Sequence, residues 1–333
     1  MVPQIGRSAE APARAYHARP MPLHVRLLRL ALRVGALLPL RALHAMGRPI
    51  GILARILGTR EYRVARTNIA LCFPNLDAAA QRQLVDATLA EAGRGLTELA
   101  WIWGGSPQRT LAAIRGVNGR EHLDAAVAAG RGVLVAAPHL GCWELLNLWQ
   151  SSIAPLTILY RVPQRAEYEP LLIDARTALG TEAVRAEAAG VRLLFRRLKE
   201  GRMVGILPDQ RPKGGEGVAA PFFGQPTVSM TLLCRLAHKT GAPVVFGYAE
   251  RLPRGAGYVL HFAPADPAVS DSDPAVAVAA MNAGIEACAR RIPAQYQWTY
   301  KRFSLRGEGE GAPDPIYGRR KRARRAPPGS KQD

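Results

Sequence analysis

Apolar positions along this chain follow two different periods. From residue 23 to about residue 130 they recur at three- and four-residue spacing, the repeat of amphipathic helices, over 23–57, 62–70, 78–103 and 119–129. Beyond that point short apolar runs of strand length alternate with helical stretches. Strands are predicted at 133–137, 156–160, 203–207, 243–249 and 258–262, and helices at 143–151, 168–179, 188–200 and 229–240. Such alternation predicts an α/β fold in which a mixed sheet is flanked by helices. No internal repeat is evident.

Composition sets the limits of that fold. Residues 1–22 are rich in Ala, Pro and Arg, and residues 305–333 in Gly, Pro and Arg, so both are expected to be disordered. Between them the pattern divides into a helical region, 23–104, and an α/β domain, 105–304. The four cysteines are widely spaced and form no CxxC pair, which points to a reducing compartment rather than a disulfide framework.

Charge changes the picture of the first helices. The formal net charge is +19. Residues 1–60 hold ten arginines against Glu10 alone, and a second basic block occupies 319–325. Segment 23–57 is rich in Leu, Ala and Ile, yet Arg26, Arg29, Arg33, Arg41, Arg48 and Arg55 interrupt it, and Pro39 and Pro49 are expected to break or kink it. Its longest uncharged apolar run, 34–40, is far short of the roughly 20 residues a spanning helix needs. A helix lying in the membrane interface fits, with arginines at acidic headgroups and leucines in the acyl boundary. The other reading is a helix packed on the protein's own core. No clean apolar region and small-residue cleavage site of a secretory signal follows the first charges.

Candidate chemistry concentrates after the first predicted strand. Gly132-Val-Leu-Val-Ala-Ala-Pro-His-Leu-Gly-Cys-Trp-Glu144 runs from a strand into a turn and then a helix, which puts His139 in the turn and Glu144 in the first helical turns, within mutual reach. An imidazole backed by a carboxylate is a general base, because the carboxylate fixes the tautomer and stabilises the imidazolium. Arg161 follows the 156–160 strand and is a candidate for a phosphate or a developing oxyanion. Asp209 and Gln210 follow the 203–207 strand, and Lys213 sits with three glycines in a loop of roughly twenty structureless residues able to approach a phosphorylated headgroup. The loop is not a P-loop, since the GK[ST] ending is missing. In 293–303, Tyr296, Trp298 and Tyr300 share one face if the segment is extended, a scaffold near lipid, with Arg302 a candidate headgroup contact. The 66–74 segment says only helix, turn, helix.

Two further possibilities attach to these residues. Cys142 beside His139 is a potential acyl-enzyme nucleophile, but nothing obvious lowers its pKa, and a helix-packing cysteine is the favoured reading. His139, Glu144 and the Cys234-x3-His238 pair suggest a metal hydrolase, but no third ligand is indicated, so no metal is expected. The basic ends also keep a nucleic-acid-binding protein open as a second class of function.

Taken in order, His139-Leu-Gly-Cys-Trp-Glu144 after its strand, the upstream Asn68-Ile-Ala-Leu-Cys-Phe-Pro74, Tyr160-Arg161, Asp209-Gln210, Pro221-Phe-Phe-Gly224 and Gln295-Tyr-Gln-Trp-Thr-Tyr-Lys-Arg-Phe303 resemble the late acyltransferases of lipid A biosynthesis, over about residues 23–304. That resemblance implies a glycerol-3-phosphate acyltransferase-like fold with a membrane-associated helical region. It implies an enzyme at the cytoplasmic face of the bacterial inner membrane that moves a fatty acyl chain from acyl carrier protein or acyl-CoA to a glycolipid hydroxyl. No cofactor besides the acyl thioester co-substrate is implied, and the partners are the donor, the glycolipid and an anionic membrane surface, with no nucleic acid. By position, His139 matches the catalytic histidine and Glu144 its acidic partner. Arg161, Asp209 and Gln210 match later blocks, and Lys213 and Arg302 are carried as substrate contacts. The expected mechanism is direct transfer, with Glu144 holding the imidazole and Arg161 or backbone N–H groups near Gly141 stabilising the oxyanion.

Overall fold

The computed structural model describes residues 21–212, 217–304 and 314–318. Expectations for residues 1–20, for Lys213 and for the basic block at 319–325 lie outside the described residues.

Four helices lead the chain: α1 (Leu23–Gly35), α2 (Leu40–Ile56), α3 (Arg60–Cys72) and α4 (Ala78–Gly104). Pro39 ends the connection between the first two and stands at the N-cap of α2, whereas Pro49 lies inside α2 without interrupting it. Thr59 caps α3 by accepting from Tyr62 N–H, and Asp77 caps α4 by accepting from Ala79 and Ala80 N–H. The helices α2 and α4 meet backbone to backbone. A Cβ added at Gly93 would stand 2.0 Å from the carbonyl oxygen of Gly47, so a larger residue at this crossing forces the helices apart. The outer faces of α1 and α2 and the turns that follow them leave Leu23, Leu27, Leu30, Leu37, Ile56 and Leu57 more than half exposed. Arg26, Arg33, Arg41, Arg48 and Arg55 stand exposed beside them. Among the described residues, no helix is long and apolar enough to cross a membrane.

The α/β part continues through α5 (Pro107–Leu111), β1 (Ile114–Asn118), α6 (Arg120–Ala128), β2 (Val133–Ala136), α7 (Trp143–Ile153), β3 (Leu156–Tyr160), α8 (Glu169–Arg176), β4 (Glu182–Arg185), α9 (Ala188–Lys199) and β5 (Met203–Ile206). It closes with β6 (Val218–Phe222), β7 (Gln225–Ser229), α10 (Leu232–Thr240), β8 (Val244–Arg251), β9 (Tyr258–Pro264) and α11 (Pro274–Arg291). Seven strands form one sheet in the order β1-β9-β8-β2-β5-β3-β4. Only the β8–β9 pair is antiparallel, so the sheet is mixed and mostly parallel, with helices on both faces.

Central strands buried on both faces read as continuous apolar runs. In β2, Leu134 and Ala136 join the core shared with α3, α9, α10 and α11, while Val133 and Val135 join the core shared with α6 and α7. The strands missed in the sequence lack that signature. Edge strands β1 and β4 read Ile-Arg-Gly-Val-Asn and Glu-Ala-Val-Arg. The supposed structureless loop after Asp209 holds the β6–β7 hairpin, in which Pro221 pairs with Pro226. Phe223 and Gly224 turn this hairpin at φ values of 51° and 72°, the two positive angles a type I′ turn requires. The α11 helix was also missed; its alanine-rich sequence carries little amphipathic contrast.

Candidate active site

Four backbone hydrogen bonds pin the turn between β2 and α7. Ala137 N–H donates to Ile206 O (2.9 Å), Gly141 N–H to Gln295 O (3.1 Å), Cys142 N–H to Ala249 O (2.8 Å), and Gln297 N–H to His139 O (3.0 Å). Gly141 sits at φ 60°, and a Cβ there would meet Ala249 O at 1.9 Å. Only glycine fits this position. The turn is thereby fixed at the carboxyl edge of the sheet, where open α/β folds bind ligands.

His139 projects from this turn with its side chain 13% exposed. Its Nδ1 lies 2.7 Å from Asp209 Oδ1, and its backbone N–H donates to Asp209 Oδ2 at 2.8 Å. Asp209 follows β5, the strand paired with β2, so register delivers it to the histidine. Burial pushes the Asp209 carboxyl up, but the adjacent imidazole and its hydrogen bonds hold it below the usual range. An ionised carboxylate only accepts, so Nδ1 carries a proton, and in the neutral ring the lone pair falls on Nε2. Gln210 Nε2 stands 3.2 Å from that Nε2 and 3.4 Å from Gln297 Oε1. The ring of Trp143 packs edge-on against the imidazole, centroids 5.1 Å apart.

The expected pairing of His139 with Glu144 is not made. Glu144, buried at the start of α7, faces α8 and takes the guanidinium of Arg176, whose Nε donates to both oxygens at 3.1 and 3.2 Å and whose Nη2 donates to Oε1; Trp103 Nε1 adds a third donor at 3.4 Å. A buried carboxylate is held by the nearest cation, and here that cation is Arg176 rather than the histidine. The cavity beside Glu144, about 30 Å³, is water-sized and admits no acyl chain as it stands. The anticipated oxyanion donors at Gly141 and Cys142 are likewise spent on Gln295 and Ala249.

Arg302 is corrected too. Segment 296–303 is a series of turns rather than a strand, which carries Arg302 inward. It is 2% exposed and donates to Thr227 Oγ1 (3.0 Å), Val228 O (2.8 Å) and Ser229 Oγ, over the ring of Phe222. Burial pulls its pKa down, with Tyr296 and Asp209 opposing. It is therefore a clamp on the β6–β7 hairpin, buried rather than presented to a headgroup. Tyr296 and Trp298 are core residues packed with Phe222, Phe223 and Phe73, not a lipid-facing stripe. Arg161 is exposed at the carboxyl end of β3, two strands from β2 and so roughly 10 Å across the sheet from the histidine's strand.

Several residues that brace the site carried no assigned role in the sequence, although Asn68 and Tyr300 lie in its motif blocks. Asn68 of α3, fully buried, donates through Nδ2 to Trp298 O (2.7 Å) and Tyr300 O (2.8 Å), while Tyr300 Oη accepts from Arg211 N–H (3.0 Å). This one segment thus braces both His139 and the Asp209-Gln210 strand end. Behind Gly141, Arg251 donates to Gly141 O (2.8 Å) and forks onto Glu98 of α4 (2.6 to 2.8 Å). Tyr258 Oη donates to Glu98 at 2.9 Å, and His44 Nε2 of α2 lies 3.1 Å away. Burial acts to raise Glu98, but Arg251 and His44 outweigh it and hold the carboxyl at about 2. Cys142, buried beside this cluster, has its thiol pushed well up by burial and by Glu98, the opposite of an activated nucleophile. Cys234 packs on Met281 and His238 bonds Ser270 O, so the two do not converge.

The sequence model for bacterial lipid A biosynthesis acyltransferases matches residues 22–304. The chain belongs to this family. Like other lipid A acyltransferase family members it is an acyltransferase, and the lipid A enzymes among its relatives match most of its length. It is 28% identical over 286 residues, covering 82% of this chain and 88% of the relative, to a lipid A biosynthesis lauroyltransferase of Escherichia coli (strain K12). It is 29% identical over 282 residues, 83% and 89% of the two chains, to the lipid A biosynthesis palmitoleoyltransferase of the same organism. A phosphatidylinositol mannoside acyltransferase of Mycobacterium tuberculosis (strain CDC 1551 / Oshkosh) is 30% identical over 202 residues, 59% of this chain and 63% of the relative.

Proposed function

We propose that this chain transfers a fatty acyl group from a thioester, on acyl carrier protein or coenzyme A, to a hydroxyl of a lipid A precursor, with no other cofactor. The His139–Asp209 pair carries this reading. A histidine whose Nδ1–H is held by a buried, ionised carboxylate, with Nε2 turned to the carboxyl edge of the sheet, is a general base for a hydroxyl. Nε2 removes the acceptor proton, and Asp209 stabilises the imidazolium. The alkoxide attacks the thioester carbonyl, the tetrahedral intermediate expels the thiolate, and the imidazolium returns its proton to that sulfur. Gln210, displaced from Nε2 by the incoming hydroxyl, supplies an amide donor to the oxyanion, an interaction typically worth about 3 kcal/mol. Arg161 and Lys213 serve a phosphorylated headgroup.

The site of action is the cytoplasmic face of a bacterial inner membrane. Exposed leucines on α1 and α2 enter the acyl boundary while neighbouring arginines meet anionic headgroups. Full-length protein incubated with acyl carrier protein thioester and lipid A precursor gains one acyl chain on the product by mass spectrometry. Near wild-type transfer by His139→Ala sinks the mechanism. The mannoside acyltransferase relative favours a second reading, another glycolipid acceptor, and an unchanged lipid A profile in a strain lacking this chain selects it.

A further inference from the structure

A slot of about 230 Å³ opens between α4 and segment 293–299, and it is continuous with the catalytic turn, since Gly141, Trp143 and Gln297 line it. Its walls are largely apolar, with Ala92, Leu96 and Leu99 on the α4 side. Its floor is formed by Thr88 and Glu91. Thr88 Oγ1 and Glu91 Oε2 are turned beneath that surface, buried and with no hydrogen-bond partner among the described residues, so that a rotation of either side chain brings its oxygen to the slot. The other Glu91 oxygen is taken by Arg94, and Arg251 Nη1 reaches only to 3.8 Å from Oε2. Two buried polar groups at one place, both unused by the dyad, call for a ligand that brings donors.

The chemistry of the lining selects among the groups that meet at the dyad. A hydrocarbon chain would bury both polar groups against methylenes and leave them unsatisfied. A phosphorylated sugar would bring anionic charge against the Glu91 carboxylate. A narrow arm in which amide N–H groups alternate with short alkyl segments matches both the floor and the walls. We propose that this slot holds the pantetheine arm of the acyl donor, with its amide N–H groups on Glu91 Oε2 and Thr88 Oγ1 and its alkyl segments against Ala92, Leu96 and Leu99. The inference rests on the thioester-donor reading above. Thr88 and Glu91 act on donor binding and leave proton transfer to His139.

The test uses full-length protein in detergent micelles, with Thr88→Val and Glu91→Gln as variants and S-methyl pantetheine thioether as the calorimetric probe. Thr88→Val keeps the shape and removes a hydroxyl that has no partner, so its thermal midpoint stays at or above wild type while the probe Kd rises roughly fivefold to tenfold. Glu91→Gln weakens the probe similarly. In transfer assays the KM values for acyl-CoA and for acyl carrier protein thioester rise by that factor, while that for the glycolipid stays fixed; acyl-N-acetylcysteamine, which keeps the inner amide and lacks the outer one, responds to only one of the two substitutions. Whichever carrier has the higher kcat/KM with wild type is the source of the arm. No probe binding by wild type, or equal binding by all three proteins, overturns the inference and leaves the floor to a bridging water. A rise confined to the glycolipid KM overturns it as well. Variant-sensitive probe binding without any acyl transfer would keep the slot and sink the acyltransfer reaction instead.

Discussion

Asp209 receives both the backbone N–H and the imidazole Nδ1–H of His139, at 2.8 and 2.7 Å. One carboxylate thus fixes the main chain and the tautomer of the same residue. Asp209→Asn keeps the size but offers an amide donor to Nδ1, so kcat is expected to fall by about 10²- to 10⁴-fold while the fold persists. Activity within threefold of wild type in the thioester assay would remove Asp209 from the mechanism.

Glu144 has a different role, and its loss reads out differently. Breaking its buried pair with Arg176 leaves one unpaired charge, at a cost of about 3–5 kcal/mol. Glu144→Ala is therefore expected to lower the denaturant midpoint strongly, and Glu144→Gln combined with Arg176→Met to recover part of it. Chemical unfolding of the two variants separates this from a loss of chemistry.

Gly141→Ala places a methyl group against Ala249 O and asks a β-carbon to adopt φ 60°. The turn must shift, and His139 with it. An ångström of misplacement in a catalytic group costs on the order of 10²-fold in rate, so kcat drops by about that factor with little change in acceptor KM. Steady-state kinetics on the purified variant checks it.

Acid stability follows from Glu98. Its carboxyl sits at about 2 in the fold against an ordinary 4.5. Between those values the unfolded chain binds the proton and the native protein does not. The contribution is complete above pH 4.5 and is lost as pH falls toward 2, on the order of 3 kcal/mol in all. Asp209, also held low, acts in the same direction. Glu98→Gln flattens this acid limb, which urea midpoints measured from pH 2.5 to 6 will show.

The membrane binding proposed for α1 and α2 has two separable parts. Leu30→Gln and Ile56→Gln, both at more than half-exposed positions, each weaken binding to anionic vesicles by about tenfold at any ionic strength. Exposed arginines such as Arg33 and Arg48 contribute about 1 kcal/mol each, and only this part fades with salt. Vesicle sedimentation at two salt concentrations, with anionic and neutral lipid, distinguishes them. Equal binding by wild type and the leucine variant would mean this face does not meet lipid.

What was legible in the sequence depended on local signals. The β2 run is buried on both faces and could be read directly, as could the helices whose apolar stripes face one core. Strands β1 and β4, at the sheet edges, need fewer apolar side chains and were passed over. The hairpin was hidden because Pro221 and Pro226 argue against a strand unless the two lie opposite each other at its end. At the site, spacing of five residues suggested that His139 and Glu144 meet, since both fall within one turn and its helix. The partner that does meet His139 lies seventy residues on and is delivered by strand pairing, which no local spacing reveals. Arg302 misled for a related reason: alternation assigns faces only in an extended segment.

The close crossing of α2 and α4 at Gly47 and Gly93, together with His44 reaching Glu98, makes the amphipathic helices inseparable from the catalytic body. A shortened protein beginning at Arg60 would bare the glycine face of α4 and strip a buried carboxylate of one of its partners, just behind the turn that carries His139. Trimming away these helices would therefore cost the body behind His139 its packing, and would not merely remove an exposed apolar face.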